Sequence, residues 1–275
     1  MNFYDLDNIK IVQNESVRPE VPGVPGVPGV PGVPGITEND FNDGVSIFIP
    51  LYNGVQYIEQ SVLSVINQTY KNWQLIVGIN GHSPNSEVEQ FANMIINKLN
   101  TDEKYDILVK HFATQGKSAT LNKMVDDAKY DYIAILDVDD NWVPEKLELQ
   151  VPFLKNYDVA GGRCEYFGDR SGSPPIPLGD YTNNHNIFEC NPVINSSVII
   201  HKKDASWDDE NFVRPIPGLD DYSLWFKLFH LKRKFYNVDK VLCNHRVHID
   251  SAFNYKCAEN VDTLKKLWND YYRSH

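Results

Sequence analysis

Cysteine is scarce in this 275-residue chain, with only Cys164, Cys190, Cys243 and Cys257. None forms a Cys-x-x-Cys pair, which removes the sequence basis for a structural zinc site, and four buried free thiols in a reducing compartment are expected. Basic charge is also short: 26 Lys and Arg stand against 37 Asp and Glu, a formal net charge of −11. General nucleic-acid binding relies on Lys and Arg to neutralise phosphates, so that class is excluded. A local diphosphate pocket stays compatible with the acidity where a metal ion supplies positive charge. Long apolar runs are missing too. No stretch approaches the roughly 20 residues of a membrane helix, and Met1 to Lys10 lacks the apolar core of a signal peptide. The expectation is a soluble, cytoplasmic protein, with membrane association through a partner left open.

What is present fits a globular fold. The chain is 42% hydrophobic and 23% charged, and long enough to bury a substantial core. Its most conspicuous feature is a repeat, Val-Pro-Gly five times over from Val21 to Gly35. Glycine at every third position, with Pro before it, is the collagen period. So few triplets favour an extended linker over a triple helix, spanning roughly 45 Å as polyproline II. Residues 1–20 form a tail or docking segment ahead of it.

The folded domain is expected over residues 43–275. Val45 to Ile49 reads as a buried strand ending at Pro50. Val55, Ile58, Val62, Val65 and Ile66 then recur at helical spacing, with Asn53 as the expected N-cap. Gln74 to Ile79 is a second strand, closed by the turn signal Asn80-Gly81. Val88, Phe91, Ile95 and Leu99 mark a second helix, Ile107 to Val109 a third strand, and Ala119, Met124, Val125 and Ala128 a third helix. Ile133 to Leu136 is a fourth strand running into Asp137-Val138-Asp139-Asp140. Alternation of this kind predicts an α/β fold, a mainly parallel sheet covered on both faces. Ligands of such sheets bind beyond the carboxyl ends of the strands, so Pro50-Leu51-Tyr52, Asn80-Gly81 and Asp137 to Asp140 are expected along one edge. Further on, Pro144 opens a helix through Leu147, Val151 and Leu154. Residues 161–192 read as long loops, Val198 to Ile200 as a strand, and Tyr222 to Leu231 and the Val261, Leu264, Trp268 segment as helices.

Hard divalent cations at phosphate sites take one or two carboxylates plus phosphate oxygens. The Asp137-x-Asp139 turn offers that set; the plainer alternative is a solvated acidic loop. Gly218-Leu219-Asp220-Asp221 precedes an amphipathic helix, where an Asp would serve either as a cap or as a carboxylate that takes a proton from an attacking hydroxyl. In His245-Arg246-Val247-His248, basic groups would neutralise a leaving diphosphate, and neutral imidazole also binds Mn²⁺. Lys117, at an expected helix start, would meet phosphate there or stay solvated.

These segments, taken in order, resemble family 2 glycosyltransferases of GT-A fold. Val45-Ser46-Ile47-Phe48-Ile49-Pro50-Leu51-Tyr52-Asn53 is similar to the family's first strand and turn. Ser64 to Tyr70 with Trp73, Gly116 to Asn122, Tyr132 to Asp140 with Pro144, Gly218 to Trp225, and His245 to His248 with Ser251 resemble its later motifs. The resemblance implies a mixed, mainly parallel GT-A-like sheet, with a nucleotide-binding half over 43–140 and an acceptor half over 141–275. It implies that Pro50, Leu51 and Tyr52 line the nucleobase and ribose pocket together with Asn80, and that Lys117, Asp137, Val138 and Arg246 face the nucleotide sugar. Asp139 is implied to ligate Mn²⁺ or Mg²⁺ with His248 as a further ligand. Asp221 is the implied general base, supported by Asp220, in direct displacement that inverts the sugar. Two departures stand out. Asn80 replaces the family's base-reading Asp, although an Asn can still accept from uracil N3–H, and His245 replaces a Tyr.

The function expected is transfer of a sugar from a nucleotide donor, a UDP-sugar foremost, to a hydroxyl of a glycan or protein. Two other classes stay in view: a catalytically silent sugar- or nucleotide-binding module, and a collagen-like protein whose repeat drives oligomerisation. The sugar, the acceptor and the oligomeric state are not legible.

Overall fold

A computed structural model of the chain describes residues 44–114, 116–248 and 257–274. The tail, the Val-Pro-Gly repeat, Asp43 and Ser251 lie outside them.

The first strand, β1 (Val45–Leu51), is buried at every position. A strand covered on both faces must be apolar throughout, which is why its sequence does not alternate. Its one polar side chain, Ser46, is satisfied: its hydroxyl donates to Gln74 Oε1 at 3.1 Å and accepts from Tyr130 N–H at 3.1 Å. Helix α1 (Ile58–Ile66) follows, entered through a 3₁₀ turn at Val55–Tyr57. Asn53 is therefore not its cap. Gly54, at φ 86°, turns the chain into that 3₁₀ turn, and Tyr57 takes the cap position without a side-chain bond. Then come β2 (Trp73–Asn80), α2 (Glu87–Leu99), β3 (Ile107–Phe112), α3 (Lys117–Asp127) and β4 (Tyr132–Ile135). Strands β3, β2, β1 and β4 pair in parallel in that order, as the alternating pattern implied.

The second half adds β5 (Asn141–Trp142), α4 (Lys146–Gln150), β6 (Val159–Gly168), β7 (Gly179–Asp180), β8 (Ile199–His201), α5 (Asp220–His230), β9 (Phe235–Val247) and α6 (Cys257–Ser274). One nine-stranded sheet runs β3-β2-β1-β4-β8-β6-β9-β5, with β7 on β9. It is mixed. β8 is antiparallel to β4 and β6, β5 and β7 are antiparallel to β9, and β6 is parallel to β9.

Two further expectations need correction. Residues 161–168 belong to a ten-residue strand rather than a loop. Gly161 and Gly162 looked like loop residues, yet they are small because neighbours press on the backbone. A Cβ on Gly161 would sit 2.2 Å from Asn237 Oδ1, and one on Gly162 would sit 2.3 Å from Leu242 Cδ1. The helix after Pro144 starts at Lys146 and tightens into a 3₁₀ turn from Val151 to Lys155.

The main core joins both halves, from Phe48, Ile76, Met124 and Ile133 to Trp225 and Trp268. Trp268 of α6 lies 5.7 Å from Phe226 of α5, nearly coplanar at 12°. Gln68, fully buried, links α1 to the segment after β4: its amide donates to Val143 O at 2.8 Å, and its carbonyl accepts from Leu147 N–H at 3.0 Å. Cys164 and Cys243 are buried free thiols, while Cys190 is partly exposed. Among the described residues no helix is long and apolar enough to cross a membrane.

Candidate active site

The three parallel strands β1, β2 and β4 end at one edge of the sheet, so their loops lie side by side. After β4 the chain closes a turn in which Asp140 N–H donates to Asp137 O at 3.0 Å. The turn sends its three carboxylates to different partners.

Asp140 points inward and its side chain is fully buried. It accepts from Ser196 Oγ at 2.5 Å, from the Arg246 N–H at 2.8 Å and from His245 Nδ1 at 2.9 Å. Burial works against protonation of His245, but the hydrogen bond and charge of Asp140 outweigh it and lift the imidazole to about 9. That shift favours the imidazolium beside Asp140.

Asp137 accepts from Lys117 Nζ at 2.5 Å and Asn195 Nδ2 at 3.0 Å, while its backbone N–H donates to Ser196 Oγ at 3.1 Å. Burial would raise its carboxyl, yet the Lys117 charge and hydrogen bond hold it below the ordinary range. Lys117, in turn, is held above the ordinary lysine range. Burial pulls it down, and Asp137, with the charges of Asp220 and Asp221, more than compensates.

Asp139 is the carboxylate left with surplus negative charge. Burial, then Asp140, then Asp137 push it upward. Its Oδ2 lies 3.1 Å from His248 Nε2, and both side chains are about a quarter exposed, at 24% and 26%. Among the described residues no three His, Cys, Asp or Glu converge into a complete metal cage. A Mg²⁺ or Mn²⁺ that shares its shell with phosphates needs only one or two protein ligands. An under-neutralised carboxylate beside an imidazole fits such an ion.

Asp220 and Asp221 open α5 after Gly218, whose φ is 85°. Leu219 takes the cap position and makes no side-chain bond, so neither Asp is the helix cap. Asp220 accepts from Ser118 Oγ, and from the Gly218 N–H at 3.2 Å. Asp221 Oδ2 accepts from Asn191 Nδ2 at 3.0 Å. Burial raises its carboxyl against the opposing pull of Lys117 and Asn191.

At the ends of β1 and β2, Pro50 and Leu51 are buried while Tyr52 is 52% exposed. The Tyr52 ring lies 5.3 Å from that of His82, and Tyr52 O is 2.5 Å from His82 Nε2. Gly81 must be glycine, since its φ is 69° and a Cβ would meet the Tyr52 ring at 2.7 Å. Asn80 is nearly buried and donates its amide to Leu51 O at 3.3 Å. Val138 is buried, 3.1 Å from where a Cβ on Gly54 would fall.

Arg246 has a bracing geometry. Its guanidinium is sandwiched between the rings of Tyr57 and Phe167, at 4.4 and 4.3 Å. It donates to Asp139 O at 3.1 Å and to Gln60 Oε1 at 2.6 Å.

The residues singled out in the sequence therefore gather in three groups: the acidic turn and the Asp220-Asp221 segment, linked through Lys117 and Ser118, and the ends of β1 and β2. Sequence reasoning missed the connectors: Ser118, Asn191, Asn195, Ser196 and His82. Apart from Ser118 in the first turn of α3, these are polar residues in loops and a 3₁₀ turn that carry no periodicity, and among them only Asn191-Pro192 offered a turn signal.

The sequence matches the model of Glycosyl transferase family 2 over residues 46–201, more than half of the chain. That span holds Asp137 and Asp139, while Asp221 and His248 lie beyond it. The chain is 26% identical to an uncharacterized glycosyltransferase of Rickettsia conorii, over 85% of this chain and only 39% of that protein's length. It is 28% identical to the Escherichia coli UDP-Glc:alpha-D-GlcNAc-diphosphoundecaprenol beta-1,3-glucosyltransferase WfaP, over 79% of this chain and 82% of WfaP. Among solved structures it is similar to Staphylococcus aureus TarS 1–349 in complex with UDP-GlcNAc, with TM-score 0.63, 16% identity and coverage of 82% and 65%. It is also similar to the mannosyltransferase PcManGT from Pyrobaculum calidifontis in complex with GDP-Man and Mn²⁺, with TM-score 0.61, 12% identity and coverage of 86% and 66%. Identities this low establish the fold, a GT-A glycosyltransferase architecture. With the family match spanning most of the described sheet, the chain belongs to glycosyl transferase family 2.

Proposed function

We propose that the protein transfers a sugar from a UDP-sugar to a hydroxyl of a glycan or protein acceptor, with inversion, using Asp221 as general base and a divalent cation at Asp139 and His248. One observation carries the reading. Lys117 and Ser118, adjacent at the start of α3, bond to Asp137 and Asp220 respectively, so the acidic turn and the base segment share one cleft.

In this reading residues 43–140 form the nucleotide-binding half and 141–275 the acceptor half, behind a tail (1–20) and a Val-Pro-Gly spacer (21–35). Tyr52 and His82 offer a ring face to the nucleobase, and Lys117 offers positive charge toward the diphosphate. Asp139 and His248 would hold Mn²⁺ or Mg²⁺, which would supply Lewis-acid stabilisation to a departing diphosphate. The acceptor oxygen forms a bond to the anomeric carbon as the bond to the diphosphate oxygen breaks. Asp221 takes the acceptor proton, a task suited to a carboxyl raised by burial. The UDP preference draws on WfaP and the TarS complex, and the metal on the PcManGT complex.

The test is UDP or GDP release from a panel of nucleotide sugars with Mn²⁺, Mg²⁺ or EDTA. Asp139→Asn is expected to abolish metal-dependent donor binding. Asp221→Asn is expected to keep donor binding and lower transfer by about 10²–10⁴-fold. Normal turnover by Asp221→Asn removes the base assignment, and turnover unchanged by EDTA removes the metal.

A further inference from the structure

We propose that Asn191 is a positioning residue for the base: its carboxamide holds one oxygen of Asp221 and so fixes the orientation and charge of the carboxylate that meets the acceptor hydroxyl. The inference deepens the reading of Asp221 above and rests on it.

Asn191 Nδ2 donates to Asp221 Oδ2 at 3.0 Å. Its own Oδ1 accepts from the Val193 N–H at 3.3 Å, an Asx turn through Pro192. That second bond fixes which end of the amide faces Asp221, because the carbonyl is engaged by the backbone and only the NH₂ is free to turn outward. The platform under the turn is rigid. Pro192 and Val193 are buried, and Pro192 O accepts from Asn237 Nδ2 at 2.8 Å, a side chain that also donates to Pro177 O at 2.8 Å. One turn further along, Asn195 donates to Asp137 and Ser196 bonds to Asp140. A single short segment thus reaches the base on one side of the cleft and the acidic turn on the other.

An amide that donates to a carboxylate stabilises its ionised form. Removing it, or replacing it by a like charge, makes Asp221 harder to ionise. The other groups acting on Asp221 are Lys117 from α3, Asp137 from the turn after β4, and the Tyr222 N–H of its own helix, and an Asn191 substitution changes none of them.

The experiment uses the full chain with Asn191→Asp and Asn191→Ala. Asn191→Asp is isosteric and keeps the acceptor for the Val193 N–H, so the turn survives. Two quantities are read: the carboxyl titration midpoint of Asp221 by ¹³C NMR, assigned by its loss in Asp221→Asn, and the pH profile of UDP release from UDP-glucose and UDP-N-acetylglucosamine with Mn²⁺. The midpoint and the acid limb of kcat are expected to move upward together, by about one pH unit in Asn191→Asp and less in Asn191→Ala, with donor KM unchanged. An unmoved midpoint overturns the inference, and so does lost activity that tracks lost thermal stability with the limb in place. Normal turnover by Asp221→Asn defeats the base reading itself, whereas an inactive Asp221→Asn with an unmoved Asn191→Asp midpoint defeats the inference alone.

Discussion

Lys146 is a lysine with no exposed surface, and its chemistry follows from that. Its ammonium donates to Gln150 Oε1 at 2.7 Å and lies 4.0 Å from the Trp142 ring centroid. Burial brings its pKa down to about 7. In the unfolded chain the group titrates near the ordinary lysine value, so between about pH 7 and 10 the unfolded state binds more protons than the folded one, and stability rises with pH across that window. Urea midpoints of the wild type and Lys146→Met, compared from pH 7 to 9.5, are expected to converge as pH rises, with Met the more stable at pH 7. Parallel curves would mean that Lys146 keeps its proton through a partner. Individual acids were legible in the sequence, since Asp137, Asp139 and Asp221 each sit at the end of a clear strand or the start of a clear helix. Their partners were not. Whether Asp139 meets His248 or Asp137 meets Lys117 depends on pairings across 109 and 20 positions, which spacing does not encode.

At the scale of the element, β6 and β9 are where pattern reading failed and where packing explains why. β9 runs through Phe235-Tyr236-Asn237-Val238-Asp239-Lys240-Val241, with no clean alternation of apolar and polar residues. Its register with β6 shifts on both sides of Arg163, and the shift between Arg163 and Cys164, which inserts one extra residue in β9, moves side chains to the other face. A signal of period two cannot survive that. The glycines of β6 likewise look like loop residues until Asn237 and Leu242 are seen against them. Gly161→Ala is expected to cost about 1–3 kcal/mol by overpacking against Asn237, read as a lower urea midpoint with an unchanged slope; a loss under about 0.5 kcal/mol would show that the neighbour yields. The parallel half, by contrast, was nearly complete in the sequence, because β1, β2 and β4 are buried on both faces and announce themselves as unbroken apolar runs.

For the whole molecule, residues 42–275 form one compact unit, and the candidate site draws on both of its halves. The acidic turn comes from the parallel half. Its hydrogen-bond partners His245 and His248 come from the far end of β9, laid between β6 and β5, and from the residue just after it. Arg246 on that strand reaches back to Gln60 of α1, some 186 positions earlier. Heating is therefore expected to extinguish UDP release over the same temperature interval in which circular dichroism reports unfolding, with no earlier inactivation step. Activity lost well below the melting interval would reveal a catalytic region able to loosen alone. A strand that both closes the sheet and holds the acidic turn through His245 and Arg246 leaves natural variation little freedom: drift in β9 that slackened the fold would also loosen the grip on Asp139 and Asp140, and selection on either trait would police the other.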